Sequence, residues 1–183
     1  MTAEPLDIDV SFVSGPWLES MPDVEGRCQR AAAMAFELAG PKGLGAAEVS
    51  IVLSDDGQVR QLNRDYRGKD KSTNVLSFSS VDWADLQAPQ SVDFGPVLLG
   101  DVIIAHGVAV TEAKSEAKSL SDHVDHLVVH GMLHLFGHDH EEDEEAERME
   151  GLERIILGHL GIRDPYAEQE SGCDGHENEA PTP

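Results

Sequence analysis

Six of the nine histidines of this chain lie within eighteen consecutive residues. His130 and His134 are four residues apart, and on a helix of about 3.6 residues per turn this spacing places both imidazoles on one face. Apolar residues at helical spacing run through the same stretch and predict a helix from about 122 to 136, with Ser121 and Asp122 as start signals. The helix would therefore hold two imidazoles ready to bind one metal ion.

Gly137 predicts the end of this helix, because glycine readily adopts the left-handed conformation that ends helices and reverses the chain. The reversal would bring His138 and His140 back toward the first two histidines, and either could supply a third ligand. The spacing His-x3-His-x2-Gly-x2-His is that of the zinc-binding helix and turn of metzincin proteases, which favours His140. We interpret His126, one turn earlier, as a neighbour of the site rather than a ligand.

Three neutral imidazoles would leave a tetrahedral zinc ion with one open position, where a bound water becomes acidic enough to act as nucleophile or base. Peptide hydrolysis is disfavoured, because zinc proteases need Glu directly after the first histidine, and Gly131 cannot accept a proton. Glycine also costs about 1 kcal/mol of helix propensity relative to alanine. We therefore expect Gly131 to make room for a substrate or a neighbouring backbone close to the metal.

The length of 183 residues and the hydrophobic content of 40% predict one domain with a substantial core. No apolar run is long enough to span a membrane, and the acidic N-terminus lacks the pattern of a signal peptide. We therefore expect a soluble, cytoplasmic protein. Cys28 and Cys173 are far apart and do not suggest a disulfide framework, which fits this compartment.

The net charge of −22 argues against nucleic acid as a partner, since phosphate binding depends on Lys and Arg. The basic residues are, however, unevenly distributed. Five of the thirteen fall within twelve positions, and they are Arg60, Arg64, Arg67, Lys69 and Lys71. They predict either a local positive patch that could bind RNA or a solvated helix face followed by a turn.

Hydrophobic patterns predict four strands, at 8–13, 48–54, 73–79 and 97–105, and helices at 24–39, 56–65, 107–119 and 122–136. A further amphipathic helix follows His140, with the acids of 141–150 on a solvated face. The continuous apolar half of the last strand predicts a central position in a sheet. We expect a mobile loop at 81–96, one catalytic domain over 1–165 and an acidic, disordered tail over 166–183.

Taken together, three stretches make the sequence resemble the bacterial YbeY family, the single-strand-specific endoribonucleases of rRNA maturation. They are Leu62 to Asp70 (LNRDYRGKD), Thr73 to Phe78 (TNVLSF), and Leu99-Gly100-Asp101 followed by the histidine block. Two positions depart from the family pattern. Ser72 stands where proline is usual, which could loosen the turn before the third strand, and His138 stands where tyrosine is common, which adds an alternative metal contact.

The resemblance implies an α+β fold with one mixed sheet of about four strands packed with helices, and a zinc site at the end of a central helix. It implies one zinc ion per chain, held by His130, His134 and His140, and it matches Arg67 to the basic residue associated with activity. The substrate would be single-stranded rRNA, in 16S rRNA 3′-end processing and ribosome quality control. The partners would be the small ribosomal subunit or its associated factors, with no membrane involved.

Two alternatives remain at this stage. One is a zinc hydrolase of another bond, such as a metalloprotease, which the ligand spacing permits and Gly131 weakens. The other is a non-catalytic, zinc-stabilised factor that binds the ribosome. For the nuclease itself, the residues leave open whether activated water attacks the phosphorus or the ribose 2′-hydroxyl does so.

Overall fold

The structure is a computed structural model that describes residues 6–83 and 95–167. Four strands form one sheet, and they are β1 (Leu6–Phe12), β2 (Ala47–Ser54), β3 (Val75–Ser79) and β4 (Val97–Ala105). The helices within these residues are α1 (Trp17–Ser20), α2 (Val24–Ala39), α3 (Asp56–Arg67), α4 (His106–Ser115), α5 (Leu120–Leu135) and α6 (Asp143–His159).

The strand order in the sheet is β1-β2-β4-β3. β1, β2 and β4 run parallel, and β3 pairs antiparallel with β4 at one edge. The prediction of a mixed, four-stranded α+β sheet is therefore confirmed. β4 lies between β2 and β3, as its continuous apolar half predicted, because a strand covered on both faces needs apolar residues at successive positions.

Neighbouring residues of β4 show how the two faces of the sheet are covered. Val102 belongs to the main core, which includes residues of α2 and α5. Ile103 points to the opposite face, where it packs with Val59 of α3 in a second, smaller cluster. α5 is buried along most of its length, so the helix that carries the histidines is held between the sheet, α2 and α6.

α2 and α5 are joined by contacts between apolar side chains and by ion pairs, of which the shortest is largely buried. The Arg27 guanidinium lies 2.6 Å from the carboxylate of Asp125, a fully buried residue of α5. Burial raises the pKa of Asp125 to about 6, against the lowering effect of Arg27. Cys28, on the same helix, is also buried, and desolvation raises the pKa of its thiol to about 12.

Several element ends differ from the predictions. α5 begins earlier than predicted, because Ser119 and not Ser121 is the N-cap and accepts a hydrogen bond of 3.0 Å from the Asp122 backbone N–H. α4 ends at Ser115 and not near 119, since Ala117 adopts a left-handed conformation with φ of 52°. The short helix α1, between β1 and α2, is not among the predicted helices.

The predicted mobile loop at 81–96 and the predicted tail at 166–183 fall largely on residues 84–94 and 168–183, which lie outside the described residues, as does Cys173. The domain limits therefore stay a prediction. Tyr166, placed in the tail by composition, instead packs on the folded part, where its hydroxyl donates a hydrogen bond to Glu153. Among the described helices, none is long and apolar enough to cross a membrane.

Candidate metal centre

His130 and His134 lie on the last turns of α5, on the face that the four-residue spacing predicts. Their Nε2 atoms are 3.1 Å apart, and the two ring centroids are 4.7 Å apart. In a tetrahedral zinc site with Zn–N distances of about 2.0–2.1 Å, two ligand nitrogens would be separated by about 3.3 Å. The helix therefore presents the two nitrogens at a separation that one zinc ion fits.

The turn after α5 brings the third histidine to the same place. Gly137 has φ of 90°, its N–H donates to the His134 carbonyl, and the His138 N–H donates to the Leu133 carbonyl. These two bonds form the left-handed ending that glycine permits and that the sequence predicts. One ligand atom from each of His130, His134 and His140 lies within 4.8 Å of the others.

His138, the alternative third ligand, does not join this group of described residues. It is half-buried, and burial lowers the pKa of its imidazole. The remaining histidines of α5 have other partners. His123 lies 2.8 Å from a Glu112 carboxylate oxygen, and His126 lies 3.1 Å from a Glu153 carboxylate oxygen. Among the described histidines, His140 is therefore the one that completes the group that the helix begins.

Trp83 packs against the turn that follows α5. Sequence reasoning did not identify this residue. Its indole N–H donates a hydrogen bond of 2.7 Å to the Leu135 carbonyl, near the end of α5. A Cβ atom at Gly137 would lie 2.9 Å from Cδ1 of the Trp83 ring. Glycine is therefore required at position 137 for two reasons: the backbone there is left-handed, and the indole of Trp83 packs closely against it.

Glu153 of α6 is the second residue that sequence reasoning missed. Its carboxylate is buried and lies 2.6 Å from His130 Nδ1 through one oxygen, while the other oxygen contacts His126 and the Tyr166 hydroxyl. A carboxylate at this place makes Nδ1 the protonated nitrogen of His130. The Nε2 lone pair is then free to face the other two histidines, as metal-binding histidines require.

The electrostatics of the site agree with this arrangement. Burial alone would raise the pKa of Glu153, but its hydrogen bonds to His126 and His130 hold that pKa well below its usual range. Burial, together with the charges that His130 and His140 carry when protonated, lowers the pKa of His134 to about 4. His134 is therefore a neutral imidazole near pH 7, the form that can bind a metal.

Gly131 has a packing role, but it differs from the predicted one. A Cβ atom at this position would lie 2.6 Å from Cγ1 of Val102 and 3.1 Å from the Ser77 hydroxyl. The glycine therefore lets α5 approach neighbouring strands, as one of the two expectations held, but side chains of β4 and β3 fill the space rather than a backbone or a substrate. The Ser77 hydroxyl also donates to the Gly131 carbonyl at 3.2 Å, which ties β3 to the helix beside His130.

Arg67 stands at the end of α3, exposed, and donates a hydrogen bond of 3.2 Å to the Ser77 carbonyl. Its guanidinium also lies 5.9 Å from the ring centroid of Phe78. Ser77 thus contacts Arg67 through its carbonyl and Gly131, the neighbour of His130, through its hydroxyl. Two hydrogen bonds connect the guanidinium to the helix that carries the histidines.

The predicted positive patch is partly neutralised by its own acids. Arg60 forms a two-point ion pair with Asp70, at 2.8 and 3.1 Å, and Arg64 lies 3.0 Å from Asp65. In contrast, Lys69, like Lys71, is exposed and has no ion pair with any residue of 6–83 or 95–167. The patch therefore persists around α3, with Arg60 its most strongly paired member.

The chain resembles proteins whose family is known. A sequence model of the family described as Endoribonuclease YbeY matches residues 22–161. The Endoribonuclease YbeY of Paramagnetospirillum magneticum is 53% identical over 166 residues, which cover 90% of this chain and 98% of that protein. The one of Rhodospirillum rubrum is 48% identical over 172 residues, covering 91% and 84%. The one of Rhizobium meliloti is 45% identical over 174 residues, covering 92% and 98%.

A solved structure shares the fold. The solution structure of TM1509 from Thermotoga maritima has a TM-score of 0.50 and 20% sequence identity, and the match covers 94% of this chain and 99% of that chain. At this identity the likeness supports the fold alone. The family match spans most of the chain, and the first two of these relatives are about half identical to it over 98% and 84% of their own length. This chain therefore belongs to the endoribonuclease YbeY family.

Proposed function

We propose that this chain is a zinc-dependent endoribonuclease that cleaves single-stranded ribosomal RNA. One observation carries the proposal, and it is the group of three imidazoles, His130, His134 and His140, with ligand atoms within 4.8 Å of one another in a member of an endoribonuclease family. Imidazole is a preferred ligand of zinc. The group has the ligand number of a catalytic zinc site, and the His130 and His134 nitrogens are 3.1 Å apart, a separation that one zinc ion fits.

A catalytic ion fits this group better than a structural one. Structural zinc sites usually have four protein ligands, whereas catalytic sites have three and leave one position open. Among the described residues the group has three members. When bound, zinc would supply a Lewis acid for a phosphate oxygen or an activated water. This argues against the alternative of a non-catalytic, zinc-stabilised factor.

The chain's own residues would orient the ligands and balance the charge of the substrate. Glu153 holds the proton of His130 on Nδ1, away from the metal side of the ring. Arg67 carries a charge that is permanent at neutral pH, and its contacts leave it exposed at the edge strand β3, next to the histidine helix. We assign it to the phosphate, where it would neutralise negative charge that develops during cleavage.

Arg64, Lys69 and Lys71 would extend this contact along the RNA backbone, with Arg60 contributing less because of its pairing with Asp70. We infer that the RNA belongs to the small ribosomal subunit or its precursors, and that the protein works in the cytoplasm. The support for this inference is family membership.

The metal is tested by the zinc content of purified variants. His130→Ala, His134→Ala and His140→Ala should each lose stoichiometric zinc, whereas His123→Ala and His138→Ala should keep it, by elemental analysis. Full zinc in His140→Ala with loss in His138→Ala would overturn the choice of third ligand.

The reaction is tested by cleavage of a single-stranded RNA. The zinc-loaded protein should cut it, the chelated protein should not, and Arg67→Ala should be slower by about 100-fold or more. Arg163→Ala, which removes an exposed arginine beyond α6, is the matched control and should cut at the wild-type rate. Chelator-sensitive hydrolysis of unstructured peptides with RNA left intact would replace the nuclease with the protease alternative.

A further inference from the structure

Tyr66 is the most exposed large aromatic side chain that the described residues offer, with 72% of its surface accessible. It occupies the last turn of α3, directly before Arg67. A single exposed tyrosine is common on protein surfaces and needs no explanation by itself. Tyr66 differs in being held in place, because its ring contacts the ring of Phe78 on β3, with centroids 5.4 Å apart and planes at 61°.

The surroundings of Tyr66 are positively charged, although the protein as a whole carries a net charge of −22. Arg67 lies over the same Phe78 ring, at 5.9 Å from its centroid. Arg64 precedes Tyr66 on the exposed side of α3, and Lys69 follows it after the left-handed Gly68. An oriented aromatic ring between cationic side chains is the arrangement that proteins use to bind single-stranded nucleic acid.

We propose that Tyr66, supported by Phe78 and Arg67, is a stacking site for one unpaired base of the RNA. The proposal rests on the proposed function, since it assigns a base-binding residue to that same substrate. Phe78 follows Ser77, which contacts both Arg67 and the helix of the histidines. Because Arg67 directly follows Tyr66 on α3, a base stacked on Tyr66 would have its neighbouring phosphates beside Arg67.

Stacking on Tyr66 gives a physical reason for choosing single strands. A base within a duplex is already stacked on both faces, and exposing it costs a few kcal/mol. An unpaired base can reach the tyrosine without this cost. The exposed ring has a π-face that suits any base, so the site would distinguish strandedness rather than sequence.

The test measures the binding of a single-stranded 2′-O-methyl RNA oligonucleotide by fluorescence anisotropy, with the zinc-loaded protein and its variants. Tyr66→Ala should raise Kd roughly 5- to 100-fold, the range expected for loss of one base–aromatic stack. Tyr66→Phe should restore the affinity, because it keeps the ring and removes only the hydroxyl. The preference for the single strand over a duplex of the same sequence should shrink in Tyr66→Ala and return in Tyr66→Phe.

Phe12→Ala is the control, because it removes a partly exposed aromatic ring from β1, at the opposite edge of the sheet. It should bind as the wild type does, and a loss as large as that of Tyr66→Ala would overturn the proposal. Two further results would also overturn it: unchanged binding by Tyr66→Ala, or an equal loss in Tyr66→Phe, which would assign the effect to the hydroxyl. A wild type that neither binds nor cuts RNA would instead refute the proposed function itself.

Discussion

Glu153 is the residue that orients His130 within the histidine group. It is buried, and it contacts His130, His126 and Tyr166 at once. A buried carboxylate without such partners would be strongly destabilising. Its hydrogen bonds make it stable in the charged form, and that charge in turn holds the His130 ring in one tautomer.

Glu153→Gln should weaken zinc binding by about 10- to 100-fold, the usual cost of losing a carboxylate behind a histidine ligand. The amide keeps the shape of the side chain but removes the charge that favours a proton on His130 Nδ1. Competition with a chromophoric chelator measures the affinity. Glu147→Gln, an exposed acid on the same helix, is the matched control. Equal zinc affinity in both variants would show that Glu153 is only a packing residue.

At the scale of elements, the histidine helix is positioned by what packs against it. Gly131 allows α5 to approach Val102 of β4 closely, and Trp83 packs against Gly137 just after the C-terminal end of α5. On the opposite side, Arg27 of α2 pairs with the buried Asp125 of α5. A buried ion pair contributes little net stability, but removal of one partner leaves an uncompensated charge.

Arg27→Ala should lower the free energy of unfolding by about 3 kcal/mol at pH 8, and by less at pH 5. The folded-state pKa of Asp125 is raised to about 6, above an unfolded value of about 4. Protonation of Asp125 therefore stabilises the fold below about pH 4, and this contribution is lost as the pH rises through about 6. Without Arg27 that pKa rises further, so at pH 5 the carboxyl is neutral and needs no partner.

Urea unfolding at both pH values, with chelator present so that metal loss does not contribute, measures this difference. Arg30→Ala is the control, because Arg30 is largely exposed and 3.8 Å from Asp125. It should cost less than about 1 kcal/mol. A loss in Arg27→Ala that is the same at pH 5 and pH 8 would mean that the charge on Asp125 is not its cause.

At the scale of the whole molecule, acidic side chains and a cluster of basic side chains lie on different surfaces. Asp7, Asp9, Glu48 and Asp101 line a shallow pocket on the sheet. Five of the thirteen basic residues lie on α3 or just after it. An RNA strand would be repelled by most of this acidic protein and attracted to one small region of it, so the charge distribution would orient the substrate as well as bind it.

Replacement of Arg64 and Lys69 by alanine should weaken RNA binding and reduce its salt dependence. The slope of log K against log salt should fall by about 0.7 to 1 for each phosphate contact removed. Arg60→Ala should change the slope less, because Arg60 is already paired with Asp70 at two points. Measurement of RNA affinity at several salt concentrations tests this prediction. An unchanged slope in the double variant would place the RNA on another surface.

The sequence by itself determined the parts that depend on nearby residues. The bounds of α2 and β4 agree with their periodicity, and the Gly137 turn follows His134 as predicted. His130, His134 and His140 converge because helix geometry and one left-handed glycine relate residues only ten positions apart. The family resemblance rests on motifs of the same local kind.

Only the tertiary structure decided which distant side chains meet. Glu153 lies on the buried stripe of α6, between Met149 and Ile156, where periodicity alone predicts an apolar residue. Its role follows from how α6 packs on α5, and the contacts of Gly131 follow from how α5 packs on the sheet. Such contacts depend on how whole elements fill the core together, and no local spacing in the chain specifies that arrangement.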